Sequence, residues 1–459
     1  MMIVAPSGLT SRREKLPRMS RPTPKRYAQL FMLLLGSASM YFYWSHVPKN
    51  IDGVAPSVAT RTQPLTDLYA QWYGTRELLL HHRDPYGEDV TRELQLAYYG
   101  KDVEPSEASH PSHQQRFAYP LYVALLLAPT VGMPFHVVQI LFWWLLVALT
   151  AGSVSLWARA LGLKLSPFNL AIALVVTFTS IPVLQGLEIL QFGLLVGALL
   201  AAAAAATVSG YLFLAGVLLA IATIKPQMSI LAIAWFTLWV SGDWHKRRSL
   251  LAGFGIALSA LIVASEFLSP GWVMRFLLAL IQYEKHMRTP SLLGVYLPAY
   301  LEWPTALLGF LIVTIYAWRA RHEHSDAVSF SLYLALALAL TLLIVPTAVQ
   351  PFNHILLVPA ALLVVSYRNA LEQSDRLFRL MSAAICSVAL LPWLSSVAVA
   401  IVLLMGPRRR ILTIWFMPLN ATLALPLAGF AILFLLRTKI SSQSTSSHAG
   451  DLDAVKAQP

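Results

Sequence analysis

One cysteine, Cys386, occurs in 459 residues, which excludes an internal disulfide and a zinc site built on thiolates. Charge is scarce as well. Asp, Glu, Lys and Arg make up 12% of the chain, about half of the roughly one quarter usual in soluble proteins. Too few charges exist to cover the surfaces of the soluble domains that this length would otherwise form. Acids are the scarcer sign, 22 against 34 Lys and Arg, for a formal net charge of +12. On so apolar a chain a basic excess is a matter of membrane sidedness and implies no nucleic-acid partner.

Apolar runs are abundant, with 57% hydrophobic residues. The chain therefore reads as an all-α, polytopic integral membrane protein. Residues 1–26 carry seven basic residues against the single acid Glu14 and read as a disordered, basic cytoplasmic tail. The transmembrane domain follows over 27–440, its first run, Tyr27 to Trp44, being a retained anchor. The Ser-rich segment 441–459 reads as a disordered tail. Further spans are expected near 136–158, 168–184, 190–208, 211–224, 227–240, 250–268, 304–318, 328–346 and 353–366. This count lands the cluster His245, Lys246, Arg247, Arg248, and later Arg319 and Arg321, on the cytoplasmic side with the N-terminus. The run 378–404 is either one long helix kinked at Pro392 or two shorter ones; the first choice gives about twelve transmembrane helices in all. Tyr119 to Met133, bracketed by prolines, is too short to cross and suits an interfacial or re-entrant helix.

Two long segments then fall on the outer face, 46–135 and 269–303. Residues 45–117 hold ten of the 22 acids beside seven Lys and Arg. So long a loop in an economical bundle is usually functional. Leu68 to Leu80 has helical apolar spacing interrupted by charge, as in a helix lying on the membrane surface, and two or three such juxtamembrane helices are expected in the loop.

The polar residues that interrupt the apolar runs collect on this outer side: Asp67, Asp84, Gln185, Glu188, Gln191, Lys225, Glu284, Lys285, His286, Arg288, Gln350, Asn353 and His354. Lys225, in Ile224-Lys225-Pro226-Gln227, is the sharpest. A Lys near membrane depth costs about 2.5–3.5 kcal/mol on insertion scales, so it is either functional or a cation snorkelling from a helix end. Gln185, Glu188 and Gln191 recur every three residues and would share one helix face, lining a polar cavity or closing a capped turn. His354 is a helix cap or a group that contacts an anion. His81, His82, His110 and His113 lack the supporting ligands of a metal centre, and none is expected.

The order of these features resembles glycosyltransferase family 87, polyprenol-phosphate-sugar-dependent enzymes of the GT-C type. The matching pieces are Asp67-Leu68-Tyr69, Asp84-Pro85-Tyr86, Phe117-Ala118-Tyr119-Pro120, Gln191 opening a span, Lys225-Pro226 and Asn353-His354. The run Leu190-Gln191-Phe192-Gly193 departs from the family's usual Gly-Gln-x-Asn, and Leu121 stands where a second proline is common. The resemblance implies a GT-C helical bundle in a bacterial inner membrane, with its active site on the periplasmic face. It implies transfer of a hexose, mannose foremost, from a polyprenol-phosphate donor to a lipid or glycan acceptor hydroxyl. Asp67 would be the catalytic base. Lys225, His354, His286 and Arg288 would hold the donor phosphate, and Asp84, Tyr86, Gln191, Gln350 and Asn353 would meet sugar or acceptor. No cofactor is implied, since a lipid monophosphate donor does not need a divalent ion to neutralise a diphosphate. A membrane-embedded polysaccharide polymerase and a transporter are the rival readings, although no internal repeat supports the latter.

Overall fold

The computed structural model describes residues 24–46, 65–100, 115–287, 290–405 and 414–439, and every regular element among them is helical. Helix α1 (Pro24–His46) precedes two helices of the first long segment, α2 (Leu68–His81) and α3 (Glu88–Tyr99). The short α4 (Val123–Leu127) and a 3₁₀ turn at Ala128–Thr130 follow. Next come α5 (Phe135–Ala160), α6 (Pro167–Thr179), α7 (Ile181–Glu188), α8 (Phe192–Val208), α9 (Leu212–Ala222), α10 (Pro226–Ser241) and α11 (Trp244–Leu268). The second long segment contributes α12 (Trp272–Met287) and α13 (Leu292–Tyr296), before α14 (Ala299–Ala320) and α15 (Val328–Ile344). A 3₁₀ segment, Pro351–Leu357, runs into α16 (Val358–Ser366), and α17 (Arg368–Glu372), α18 (Arg376–Met405) and α19 (Met417–Lys439) complete the fold.

Five helices, α5, α11, α14, α18 and α19, are long and apolar enough to cross a membrane; α6 and α7, bent by 61°, make a sixth if the pair is one span. The other apolar runs behind the expected twelve are helical too, but α8 and α15 have 17 residues and α9 has 11. At 1.5 Å per residue, 17 residues reach about 25 Å, short of a hydrocarbon core of about 30 Å. Long and short helices also differ in position. The most apolar windows of the five long helices are only 17–33% buried in protein, so their leucines and aromatics face outward, toward lipid. By contrast α8 and α15 are covered on nearly every side and form the core, as helices apolar all round must be.

Close backbone approach holds α9 to α11. A Cβ on Gly216 would come within 2.0 Å of the Leu250 carbonyl, and one on Gly253 within 2.2 Å of the Phe213 carbonyl. Reciprocal glycines at a helix crossing give the packing contact that stands in for the hydrophobic effect inside a bilayer. Helix α18 is one continuous 30-residue element with Pro392 inside it. The run from Tyr119 makes only α4 and the 3₁₀ turn, far too little to cross.

Helix α2 matches its expected range within a residue, yet it does not lie on a surface. Leu68, Ala70, Gln71, Trp72, Gly74, Thr75, Glu77 and Leu78 are all buried. A Cβ on Gly74 would meet the Phe117 ring at 2.5 Å, and the Trp72 indole donates to the Thr130 carbonyl at 3.2 Å. Of the charges that interrupt its apolar pattern, Glu77 is paired within the protein and Arg76 lies 5.4 Å from the Trp72 ring. Arg83 donates to Glu77 (2.8 Å), Asp89 (2.9 Å) and Glu93 (2.8 Å), joining α2 to α3.

Candidate active site

The site is built at three breaks between apolar elements, α7 to α8, α9 to α10 and α15 to the 3₁₀ segment, and at the start of α2. Between α9 and α10, Lys225 occupies the N-cap position with Pro226 as the first helical residue. Proline suits that place because it has no N–H to leave unpaired. The Lys225 side chain turns inward and is 4% exposed. Its Nζ donates to Gln191 Oε1 at 3.1 Å and to Asn353 Oδ1 at 2.9 Å, and it lies 4.6 Å from the centre of the Phe352 ring. Snorkelling is thereby excluded: the ammonium is held by two neutral amides and an aromatic face, without a carboxylate in direct contact.

Gln191 arrives by a sharp break between α7 and α8. Leu190 adopts the left-handed conformation (φ 54°), a strained choice for a residue that is not glycine, and the Gln191 N–H returns to the Gly186 carbonyl at 2.8 Å. The expected shared helix face of Gln185, Glu188 and Gln191 does not exist. Gln185 and Glu188 belong to α7, Gln191 is the N-cap of α8, and Glu188 is exposed while the two glutamines face the site. Gln191 Nε2 donates to Asp67 Oδ2, so its amide bridges the carboxylate and the Lys225 ammonium.

Asp67 stands at the N-cap position of α2 but makes no side-chain capping bond. An aspartate there ordinarily accepts from the first turn of its own helix. Here the backbone is fixed instead by the Asp67 N–H on the Ile189 carbonyl (3.0 Å), and the carboxylate is turned to Gln191. Asn353, fully buried, has its orientation set by Nδ2 donating to the Thr347 and Ala348 carbonyls, both at 3.2 Å. Its Oδ1 must then face Lys225. Thr347, another non-glycine residue at positive φ (62°), presents the carbonyl it uses. Gly193 makes room for the amide, since a Cβ there would sit 3.0 Å from Asn353 Oδ1.

These groups border a cavity of about 340 Å³ lined by Asp67, Gln71, Gln115, Arg116, Ala118, Tyr119, Gln185, Ile189, Gln191, Lys225, Gln227, Tyr283, Thr347, Gln350 and Phe352. Six of the fifteen are glutamines, neutral amides that both donate and accept, the inventory needed to read hydroxyl groups. Gln71 Oε1 and Gln185 Oε1 are buried without a hydrogen-bond partner. The helices α8 and α10 both begin at this cavity, at Gln191 and Lys225, so two positive helix ends add to the two cations Lys225 and Arg116. Among the described residues, Asp67 is the only carboxylate in the lining.

Of the residues singled out in the sequence, Asp67, Gln185, Gln191, Lys225 and Gln350 line the cavity, and Asn353 supports Lys225 from behind. The others lie elsewhere or beyond description. His354 is buried with its ring Nε2 on the Val349 carbonyl (3.1 Å) and does not reach the lining. Asp84 accepts from the Tyr86 N–H (3.1 Å) and from Arg275 (3.2 Å), while the Tyr86 hydroxyl donates to the Tyr119 carbonyl (2.7 Å). Both brace the cavity wall from outside. His286 lies in α12, but its side chain, like Arg288 altogether, is outside the described residues.

Gln71, Gln115, Arg116, Tyr119, Gln227 and Tyr283 are lining residues that the sequence reading did not select for the site. Two of them carried a usable signal: Gln71 is four residues after Asp67, hence on the same side of α2, and Arg116 immediately precedes the Phe117-Ala118-Tyr119-Pro120 motif. Comparison with curated proteins and with solved structures gives no match. Comparison with protein families matches residues 117–346 to glycosyltransferase family 87. That match takes in Tyr119, Gln185, Gln191, Lys225, Gln227 and Tyr283 of the lining, and leaves Asp67 and Gln350 on its two flanks. A polar, sugar-sized cavity among apolar helices agrees with a match covering half of the chain: the protein belongs to glycosyltransferase family 87, a family of membrane glycosyltransferases.

Proposed function

We propose that this chain transfers a hexose from a polyprenol-phosphate donor to a hydroxyl of a lipid or glycan acceptor, by a single inverting displacement. Mannose is the first donor sugar to test. The observation that carries the reading is the hydrogen-bonded chain from Asp67 through Gln191 to Lys225, set in one cavity. It joins the two functions such a reaction needs. A carboxylate accepts the proton of the attacking hydroxyl, and a cation meets the charge that appears on the departing phosphate. No acid is required at the leaving oxygen, because a lipid phosphate departs without protonation. Gln191 holds base and cation in fixed register, and the other glutamines orient the sugar between them.

In this reading the cavity opens to the periplasmic face of a bacterial inner membrane and the N-terminus is cytoplasmic. The short helices α8, α9, α10, α15 and α16 cross within the core, for about twelve spans in all. Purified protein is to be assayed with polyprenol-phosphate mannose, glucose and arabinose against membrane lipid extracts. Transfer from one of them, lost in Asp67→Asn, is the expected outcome. Solute flux in proteoliposomes without any transfer would replace this reading with a transporter.

A further inference from the structure

Arg116 is a cation with a place in the cavity and no paired carboxylate among the described residues. Its Nη1 donates to Gln282 Oε1 on α12 at 2.6 Å, its Nε is buried without a partner, and no carboxylate among the described residues pairs with it. The placement is deliberate in local structure. Residues 115–118 are not helical, and Phe117, 1% exposed, is driven into the pocket beside Gly74. The residues on either side, Arg116 and Ala118, are thereby turned to the cavity. Other arginines that lack a carboxylate are satisfied otherwise, Arg247 by backbone carbonyls and Arg437 by the Tyr333 hydroxyl and the Tyr316 ring, whereas the buried Arg116 Nε has no partner among the described residues.

We infer that Arg116 is the second cation of the phosphate subsite and contacts the phosphate of the lipid-linked ligand. This rests on the glycosyl-transfer reading above. In the reaction the acceptor oxygen forms the new bond to the anomeric carbon, and the bond from that carbon to the phosphate oxygen breaks with its electron pair. The acceptor proton passes to Asp67. A singly charged phosphodiester thus becomes a doubly charged phosphomonoester while Asp67 becomes neutral. Counted over the described lining residues, with Lys225 and Arg116 both cationic, cavity and ligand sum to zero charge before the step and again after it. Without Arg116 the same sum is minus one throughout, in a cavity walled by apolar helices where unbalanced charge is costly. Guanidinium is the group best shaped for a phosphate, offering parallel donors that the ammonium of Lys225 lacks. Gln282 holds Arg116 from α12 through one hydrogen bond.

The test measures binding of farnesyl phosphate, inorganic phosphate and farnesol to the full-length protein in detergent by calorimetry. Wild type is expected to bind farnesyl phosphate well, inorganic phosphate weakly and farnesol not at all. Arg116→Gln should weaken farnesyl phosphate binding about ten- to a hundredfold and flatten its salt dependence. Arg116→Lys should recover part of the loss, and Arg92→Gln, on the exposed side of α3, should change nothing. Wild-type affinity in Arg116→Gln, with loss in Lys225→Gln, overturns the role of Arg116 and leaves the lipid-phosphate donor standing. Inorganic phosphate binding as tightly as farnesyl phosphate, or no binding of either, overturns both.

Discussion

Two buried basic residues mark the two ends of α10, and they are held in opposite ways. Near its C-terminus Arg247, 7% exposed, donates to the carbonyls of Trp239 (2.7 Å), Arg321 (2.6 Å) and Glu323 (2.8 Å) and stacks 4.0 Å from the Trp239 ring. Those carbonyls terminate α10 and follow α14, so a cation there answers both unpaired acceptors and the negative helix end. At the N-terminus Lys225 faces the positive end of the same helix, where a cation is disfavoured, and its partners are neutral amides. Arg247 completes the structure, whereas Lys225 is held at a cost the fold alone does not require. In the proposed reading, a buried charge beside a cavity is placed for a ligand.

The largest contrast should come from replacing each cation with methionine. Lys225→Met is expected to lower kcat/KM about a hundred- to a thousandfold while the unfolding temperature in detergent stays near wild type. Arg247→Met should do the reverse, leaving turnover in the folded fraction unchanged and removing about 3 kcal/mol of stability, because its carbonyls lose their donor. If Lys225→Met unfolds the protein and Arg247→Met removes activity, the contrast is broken. An intermediate effect is expected for Gln191→Leu. The bridge between Asp67 and Lys225 disappears, and turnover should fall about ten- to a hundredfold with stability little changed; an unaltered rate would show that the bridge has no part in the chemistry.

The smallest effect concerns the Arg83 cluster, a charged group that, like Arg247, is internally satisfied. Hydrogen bonds from Arg83 hold the carboxyl groups of Asp89 and Glu93 below their usual range. A depressed carboxyl contributes stability that is present above its unfolded pKa and is lost as pH falls through its folded one. Hydrogen-exchange protection of α3 is therefore expected to be steady at neutral pH and to decline only below about pH 4. Arg83→Met should lower that protection at neutral pH and remove its acid dependence. An acid transition unaffected by Arg83→Met would assign the coupling elsewhere.

Much of this architecture was legible in the sequence because apolar runs bounded by charge or proline end where helices end. The run expected at 136–158 is Phe135–Ala160, and that at 328–346 is Val328–Ile344. Lys225 stood out for the same reason, as a charge where none is affordable. The break at Leu190 was not legible. Its left-handed turn is imposed by packing on a residue with no preference for it, and it moves Gln191 onto a different helix from Gln185. Asp84 and Tyr86 drew notice beside a proline, yet the fold uses them to fix Arg275 and the Tyr119 carbonyl. Arg116 and Gln71 escaped notice because each resembles an ordinary polar residue in a polar segment. Only the tertiary contacts show that Gln71 is buried with an unpaired carbonyl oxygen and that Arg116 has no carboxylate partner among the described residues.

The central claim, that Asp67 is the base of a sugar transfer from a lipid phosphate, is tested most directly by single-turnover assay of Asp67→Asn. The assay uses whichever polyprenol-phosphate sugar wild type accepts, with farnesyl phosphate affinity measured on the same preparation. Asparagine keeps the shape and a hydrogen-bonding oxygen for Gln191 but cannot take a proton. The account predicts loss of at least about a thousandfold in rate with farnesyl phosphate still bound. Transfer at the wild-type rate by Asp67→Asn would contradict it.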